Sequence, residues 1–241
     1  MIAAIPAEPV AELAPLGVHA FTTTRAAGTF GTGGTEPVGE VMGRWSALVE
    51  ALRPYGPRLA TAHQVHGARV VVHRPAWEGW LRVPEADGHA ALERGTAAAV
   101  TIADCVPVFV AHPSGAIALL HSGWRGTAAR IAEQGIAVLT AAGLPARELV
   151  VHLGPAICGA CYEVSPDVYA QLTGRSVTRP TTVDLRALIA DQARRAGVTR
   201  ISVSPYCTRC HNDRFFSHRA GDTGRQIAVI VAPPPARLDS R

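Results

Sequence analysis

The sequence predicts a single α/β (α+β) domain in which layered mixed β-sheets are flanked by helices. Short apolar segments typical of buried strands alternate with amphipathic segments typical of helices. Some of the strand-like segments also follow one another directly, which indicates antiparallel as well as parallel neighbours. The chain has 241 residues, enough for one large domain with a sizeable core.

The strand predictions rest on runs of Val, Ile, Leu and Ala that have the length of buried strands. They read RVVVH, AAAVTIA, VPVFVAH, AIALLH, LVVHLG, RISVSPY and QIAVIVA. Helices are predicted for EVMGRWSALVEALRP, GTAARIAEQGIAVLTAAG, SPDVYAQLTG and DLRALIADQARRAG. Residues 26–40 are rich in Gly and Thr and predict a mobile loop. No linker divides the chain, so we predict one main domain (20–232) between an N-terminal segment (1–19) and a frayed C-terminal tail (233–241).

Composition and charge exclude several classes of partner. All 23 basic residues are Arg, the net charge is +4, and the arginines are scattered rather than grouped with aromatics, which argues against a nucleic-acid surface. No apolar run reaches the ~18 residues of a membrane helix. The N-terminus lacks the basic start of a signal peptide. We therefore expect a cytoplasmic protein, monomeric or a small homo-oligomer, that binds neither membranes nor nucleic acid.

Two histidines and a cysteine form the candidate catalytic centre. His66 precedes one predicted strand, while Cys105 and His121 follow or end two others, and side chains at strand ends can converge at one edge of a sheet. Two His and one Cys are a zinc ligand set that leaves a fourth position for water or substrate. Spacing alone leaves alternatives open: a small core cysteine, capped histidines, or rival ligands. The rivals are His63, Asp104 and His112.

Six motifs occur along the chain in a fixed order. They are FTTTR, HQVHG, ADCVPV, HSGWRGT, GPAICGACYEV and FFSHRAGDTGR. From about residue 20 to residue 232 the chain thereby resembles the YfiH-type family, labelled first as multicopper polyphenol oxidases with a laccase domain and later as purine nucleoside phosphorylases. Ser122 stands where the family usually has Ala. The resemblance implies a fold of layered mixed sheets flanked by helices, related to a toxin deamidase domain.

The resemblance also implies a ligand set and an activity. The zinc ligands are His66, Cys105 and His121, with His63 and Gln64 of the HQVHG motif as neighbours on the substrate side. The activity is phosphorolysis of adenosine, inosine and methylthioadenosine by inorganic phosphate, with some deamination of adenosine. Asp104, next to Cys105, is either an acid/base group, a partner that orients a ligand, or a turn-capping residue.

Arginines are the candidate phosphate ligands, because the guanidinium group matches planar anions. Arg125 lies in the glycine turn SGWRG before a predicted helix, whose N-terminus would favour an anion. Arg25, Arg219 and Arg225 could add bidentate contacts. Each of these four could instead be a solvated or salt-bridged surface residue.

The other four cysteines raise a separate possibility. Cys158 and Cys161, and likewise Cys207 and Cys210, form two C-x₂-C pairs, a spacing used by structural zinc sites. The gap between the pairs is longer than in most zinc ribbons, so buried or reactive thiols remain the alternative.

Three rival functions remain open at the level of sequence. A His₂Cys set can bind Cu²⁺, although the chain lacks the His-x-His pairs of a laccase cluster. Cys105 and His121 could act as a Cys–His hydrolase. The chain could also be a binding protein that retains the site without turnover.

Overall fold

The computed structural model describes residues 5–235. They form four layers: two six-stranded mixed sheets face each other, and helices cover the outer face of each. The predicted fold class is thus confirmed. All seven predicted strands and all four predicted helical segments are present, with the change described below for one helix.

The first sheet has the strand order β1-β2-β14-β7-β3-β5. Its strands β1, β2, β14 and β7 are antiparallel neighbours, whereas β3 runs parallel to both β7 and β5. The strands are β1 (Ala7–Pro9), β2 (His19–Thr23), β3 (Arg58–Ala62), β5 (Gly79–Val83), β7 (Thr96–Ile102) and β14 (Gln226–Val231).

The second sheet has the order β13-β10-β8-β9-β6-β4. Its outer pairs β10–β13 and β4–β6 are parallel and its inner pairs are antiparallel. The strands are β4 (Val70–His73), β6 (Gly88–Ala91), β8 (Val106–Ala111), β9 (Ile117–Ser122), β10 (Val150–Leu153) and β13 (Arg200–Val203). A separate two-stranded ribbon contains β11 (Glu163–Val164) and β12 (Thr181–Thr182).

One helix covers the first sheet, and two shorter helices cover the second. The helices are α1 (Val38–Leu52), α2 (Trp124–Ala128), α3 (Ile131–Ala141), α4 (Pro166–Thr173) and α5 (Leu185–Arg195). None of the helices within residues 5–235 has the length and apolar character needed to cross a bilayer.

The four layers explain why the central strands are apolar at every position. On β8, Phe109 and Ala111 pack between the two sheets, while Val108 and Val110 pack against the helices. Successive side chains of a strand point to opposite faces, so a strand covered on both faces needs apolar residues throughout.

Two segments differ in detail from the sequence predictions. The predicted helix GTAARIAEQGIAVLTAAG is divided into α2 and α3, because Arg130 adopts a left-handed conformation (φ 58°). In the segment before residue 20, β1 pairs with β2, and Val10 and Leu13 are buried in the core between the sheets. Most of the predicted tail (233–241) lies outside the described residues.

Three connections carry the chain from the first sheet to the second: residues 63–69 join β3 to β4, residues 84–87 join β5 to β6, and residues 103–105 join β7 to β8. Each connection carries one of the polar residues of the candidate site. The crossing between the two sheets is therefore what brings these distant segments together.

Candidate metal centre and cavity

His66, Cys105 and His121 lie together at the crossing between the sheets. His66 and Cys105 belong to the connections 63–69 and 103–105, and His121 lies at the end of β9. One ligand atom from each residue, an imidazole nitrogen or the thiol sulfur, lies within 4.8 Å of the other two. The rings of His66 and His121 are 4.8 Å apart and nearly perpendicular.

Asp87 holds two of these segments in place. Its carboxylate is fully buried and accepts backbone N–H groups from Val65, His66 and Gly67 at 2.7–3.2 Å. It also lies 2.8 Å from Nδ1 of His121. Because Nδ1 is bound to Asp87, the Nε2 nitrogen is left to face Cys105 and His66.

The backbone around the centre is shaped for close approach. His66 adopts a left-handed conformation (φ 60°), which costs free energy for a non-glycine residue and is held by the Asp87 hydrogen bonds. At Gly123 a Cβ atom would lie 2.9 Å from the Cys105 sulfur and 3.4 Å from the His66 ring. A larger residue at position 123 would therefore displace both groups.

The three groups shift each other's pKa values. Burial raises the pKa of the Cys105 thiol, but the charges and hydrogen bonds of His121 and His66 outweigh burial and lower the pKa to about 6. Burial lowers the pKa of His121, but Cys105 and Asp87 outweigh it and raise the pKa to about 9. The mutual charges and hydrogen bonds therefore favour a thiolate at Cys105 beside an imidazolium ion at His121.

The donor set fits a zinc-like ion. Zinc binds Cys sulfur at ~2.3 Å and His nitrogen at ~2.0–2.1 Å, so tetrahedral ligand atoms lie ~3.3–3.8 Å apart. Three atoms within 4.8 Å of one another need only small movements to reach this geometry. Asp87 provides the carboxylate that commonly orients a metal-binding histidine.

A cavity of about 640 Å³ opens beside this centre. His66, Cys105 and His121 line one part of it. Aromatic residues line another part: Trp80 stacks on Trp45 with ring centroids 5.0 Å apart, and Phe30 packs edge-on against Trp45. The volume is in the range of small-molecule sites. Trp80 is half-buried and can offer a flat surface to a planar ring, whereas Trp45 is buried beneath it.

Three of the predicted substrate-binding residues line the cavity: His63, Gln64 and Arg225. His63 is exposed. The side-chain amide of Gln64 donates to the Thr101 carbonyl of β7 and accepts the Thr101 backbone N–H and hydroxyl, at 2.7–2.9 Å. The guanidinium group of Arg225 donates to three backbone carbonyls within residues 222–224.

Arg125, Arg219 and Arg25 do not line this cavity. Arg125 is exposed and stacks on Trp124 at 4.4 Å, and Arg219 lies over the ring of Tyr162 at 5.2 Å and donates to a backbone carbonyl.

Arg25 is occupied by an ion pair with Asp222 at 2.6 Å. It also packs against Phe216, with the guanidinium carbon 4.4 Å from the ring centroid. These contacts tie the beginning of the predicted domain to the loop before β14. They are the salt-bridged alternative that the sequence left open for this arginine.

Asp104 is engaged with the loop that precedes β14. Its two carboxylate oxygens accept the Thr208 hydroxyl at 2.6 Å and the Arg219 backbone N–H at 2.7 Å. Its backbone is left-handed (φ 81°). The contacts fix the turn that presents Cys105.

The structure adds residues that the sequence reasoning missed. In the sequence, Asp87 is only an acidic residue before Gly88, a pair that is typical of a turn. Trp45 and Trp80 read as ordinary core aromatics. Three further residues were also missed. Arg82 and His218 line the cavity, and Tyr162 lies near Cys105. Burial raises the pKa of Tyr162 to about 12, with the Cys105 charge adding to the effect.

The fold and the site define a four-layer α/β protein with a candidate His₂Cys metal centre beside a cavity. This chain belongs to the multi-copper polyphenol oxidoreductase laccase family, whose model matches residues 30–233. The resemblance inferred from the six motifs is confirmed.

Relatives of similar length carry another name. A protein of Mycobacterium tuberculosis named purine nucleoside phosphorylase is 34% identical over 232 residues, covering 88% of this chain and 91% of the relative. One of Streptomyces coelicolor with the same name is 35% identical over 181 residues, covering 72% of this chain and 74% of the relative.

Solved structures agree with the fold. YlmD from Geobacillus stearothermophilus superposes with a TM-score of 0.83 at 30% identity, over 90% of this chain and 93% of YlmD. The hypothetical protein YfiH of Bacillus licheniformis gives a TM-score of 0.84 at 23% identity, over 96% of this chain and 98% of YfiH.

Proposed function

We propose that this protein is a zinc-dependent purine nucleoside phosphorylase. The observation that carries the proposal is the placement of His66, Cys105 and His121 at one part of a cavity whose other wall is a pair of stacked tryptophans. The relatives named purine nucleoside phosphorylase support it. Adenosine, inosine and methylthioadenosine are the substrates that we expect.

The aromatic wall is the proposed base site. Trp80 is half-buried, and its indole N–H donates to Thr61 at 2.8 Å, which fixes the ring. Trp45 is held in the same way by the Phe30 carbonyl at 3.0 Å. A purine stacked on such rings gains ~1–3 kcal/mol.

The proposed phosphate site lies on the Tyr162 side of Cys105. Arg125 and Arg219 both act electrostatically on Tyr162, as does Cys105, so these groups are near one another. Since α2 has only five residues, the anion site rests on the arginines and not on a helix N-terminus. Arg225 lines the cavity and would contact the phosphate from the cavity side of Cys105.

In the proposed reaction a phosphate oxygen forms a bond to the ribose C1′ atom while the bond from C1′ to the purine nitrogen breaks. The base leaves with the electron pair of that bond and takes up a proton. Zinc, when bound, supplies a Lewis acid that can polarise an oxygen or acidify a water. The chain orients the two reactants: the tryptophans fix the base, and the arginines fix the anion. Adenosine deamination is a proposed secondary activity of the same centre.

A multicopper reaction is a poorer fit to these residues. Within residues 5–235, only two groups of three or more His, Cys, Asp or Glu side chains could hold a metal: the His₂Cys centre and a cluster of four cysteines. A laccase requires several copper ions and histidine pairs, and one His₂Cys set could bind a single copper.

The test is an assay of purified protein for release of free base from adenosine, with and without phosphate, next to elemental analysis. We expect phosphate-dependent release and bound zinc in the wild type. Replacing Cys105 by Ala should remove the zinc ion held at the His₂Cys centre and reduce turnover at least about a hundredfold, since one of its three metal ligands is lost. Unchanged turnover in a folded Cys105→Ala protein would refute the proposal.

A second candidate function follows from one observation. Asp87, His121 and Cys105 are ordered like an acid, a base and a nucleophile, and the pKa of Cys105 is lowered to about 6. A Cys–His hydrolase would use this pair without metal. Rapid alkylation of Cys105 in protein that contains no metal as purified would favour the hydrolase, whereas loss of activity on chelation favours the zinc enzyme.

A further inference from the structure

The second cysteine cluster lies away from the cavity, on loops that follow two parallel neighbours. Cys158 and Cys161 follow β10, and Cys207 and Cys210 follow β13. Since β10 and β13 are parallel, their following loops leave the sheet at the same edge. Four thiols that are distant in sequence therefore meet.

The two loops are joined directly by backbone contacts. Ala156 pairs with Cys207 in an isolated parallel bridge, and the Thr208 N–H donates to the Ala156 carbonyl at 3.2 Å. The bridge extends the pairing of β10 with β13 up to Cys207 on one loop and to within two residues of Cys158 on the other. The four side chains then project into the same space.

The geometry of the cluster is that of a tetrathiolate metal site. All four sulfur atoms lie within 4.8 Å of one another, and those of Cys161 and Cys210 are 3.5 Å apart. A zinc ion with four sulfur ligands at ~2.3 Å places them ~3.8 Å apart. All five cysteines of the chain are free thiols in this structure.

Backbone groups add to this geometry. The N–H groups of Cys158 and Cys210 donate to the sulfur of Cys207 at 3.3 and 3.4 Å. Hydrogen bonds to a sulfur favour the thiolate form, which is the form that binds metals. Cys207 is buried and Cys210 is exposed, so the cluster is anchored on one side and open on the other.

We propose that these four cysteines bind a structural zinc ion, separate from the His₂Cys centre. Four protein ligands leave no position for a substrate, which is the feature of a structural site. The ion would clamp the edge strand β13 to β10. It would also stabilise the loop that contains Thr208. The Thr208 hydroxyl donates to the Asp104 carboxylate at 2.6 Å, so the ion would indirectly support the turn that carries Cys105. The proposal of this site does not rest on the proposed catalytic function.

Elemental analysis of the full-length purified protein tests the proposal. We expect about two zinc ions per chain in the wild type, about one in the Cys161→Ser/Cys210→Ser double variant, and about one in Cys105→Ala. The two variants control each other, because each removes ligands from one site only. A double variant that keeps the zinc content of the wild type would overturn the proposal, and iron at that stoichiometry would overturn the choice of zinc.

A measurement on Cys105→Ala covers the case in which the double variant fails to fold. Replacing zinc by cobalt gives thiolate-to-cobalt charge-transfer absorbance that increases with the number of bound thiolates. With four of the five cysteines in the second cluster, Cys105→Ala should keep about four fifths of this absorbance. Complete loss of the band would show that Cys105 was the only thiolate ligand, and a disulfide within the cluster of anaerobically purified protein would be equally decisive against the site.

Discussion

The Nδ1 nitrogen of His121 lies 2.8 Å from Oδ1 of the buried Asp87. This contact orients the imidazole and leaves Nε2 to face Cys105 and His66. Residues in this position commonly contribute about 10–100-fold to metal affinity.

We therefore expect Asp87→Asn to weaken zinc binding at the His₂Cys centre by about 10–100-fold, measured by competition with a chromogenic chelator. The matched control is Asp191→Asn, in which an exposed carboxylate paired with Arg194 is changed in the same way; its zinc affinity should equal that of the wild type. An Asp87→Asn protein with wild-type zinc affinity would contradict the assigned role.

Gly123→Ala should disturb the centre by steric overlap alone. Its Cβ would lie 2.9 Å from the Cys105 sulfur, so the sulfur would have to move by several tenths of an ångström. We expect at least about a tenfold loss of zinc affinity, ~1.4 kcal/mol, measured by the same competition. Gly43→Ala on α1, where no atom beyond the adjacent backbone of its own helix lies within 4 Å of the new Cβ, is the control and should bind zinc normally.

Arg125→Ala tests the phosphate site. Losing a charge-assisted contact of ~1.5–3 kcal/mol should raise the KM for phosphate at least about tenfold, with a smaller effect on the KM for the nucleoside. Arg147→Ala is the control, because Arg147 is exposed and paired with Glu148. A phosphate KM unchanged by Arg125→Ala would remove this arginine from the site.

Trp80→Leu tests the proposed base site, as Arg125→Ala tests the proposed phosphate site. Loss of one stacking surface, worth ~1–3 kcal/mol, should raise the KM for adenosine by about tenfold while the KM for phosphate stays near the wild-type value. Trp77→Leu removes a half-buried tryptophan that packs near His73 and does not line the cavity, and it should leave both values unchanged. Equal effects of the two substitutions would argue for a purely structural role of Trp80.

A buried histidine pair predicts the acid limit of stability. Burial, with the nearby His73, lowers the pKa of His89 from 6.5 to about 3, so between these values the unfolded chain binds a proton that the folded chain does not. The stabilisation is complete above pH 6.5 and is lost as the pH falls toward 3, with ~2 kcal/mol lost between pH 7 and pH 5.

Chemical denaturation at pH 7 and pH 5 measures this loss. We expect His89→Gln to show a smaller drop in the free energy of unfolding between the two pH values than the wild type does. His218→Gln changes an exposed histidine and should behave like the wild type. The idea fails if the drop is the same in all three proteins.

The elements were predictable where one physical signal dominated. Strands such as β8 are apolar throughout because both faces are covered, and α1 is amphipathic because one face packs on the first sheet. The division of the third predicted helical segment was not predictable, since Arg130 gives no sequence sign of a left-handed conformation.

The site was predictable only in part. The resemblance to a family indicated His66, Cys105 and His121, which the structure brings together. Asp87 was missed because its partners lie 20–22 and 34 residues away in the chain, and no local pattern marks such contacts. Arg25 shows the converse: its residue type suited an anion, but its ion pair with Asp222 depends on a contact across 197 residues.

The aromatic wall and the metal ligands belong to different layers of the molecule. Trp80 and Thr61 lie on the first sheet, and His121 lies on the second. His66 and Cys105 lie on the connections between the two sheets. In the proposed enzyme, the distance from the stacked base to the metal ion thus depends on how the two sheets pack together, through small residues such as Ala98 and Ala228. A bulkier side chain there would shift the tryptophans relative to His121, so the alignment of the proposed site depends on residues that do not line the cavity.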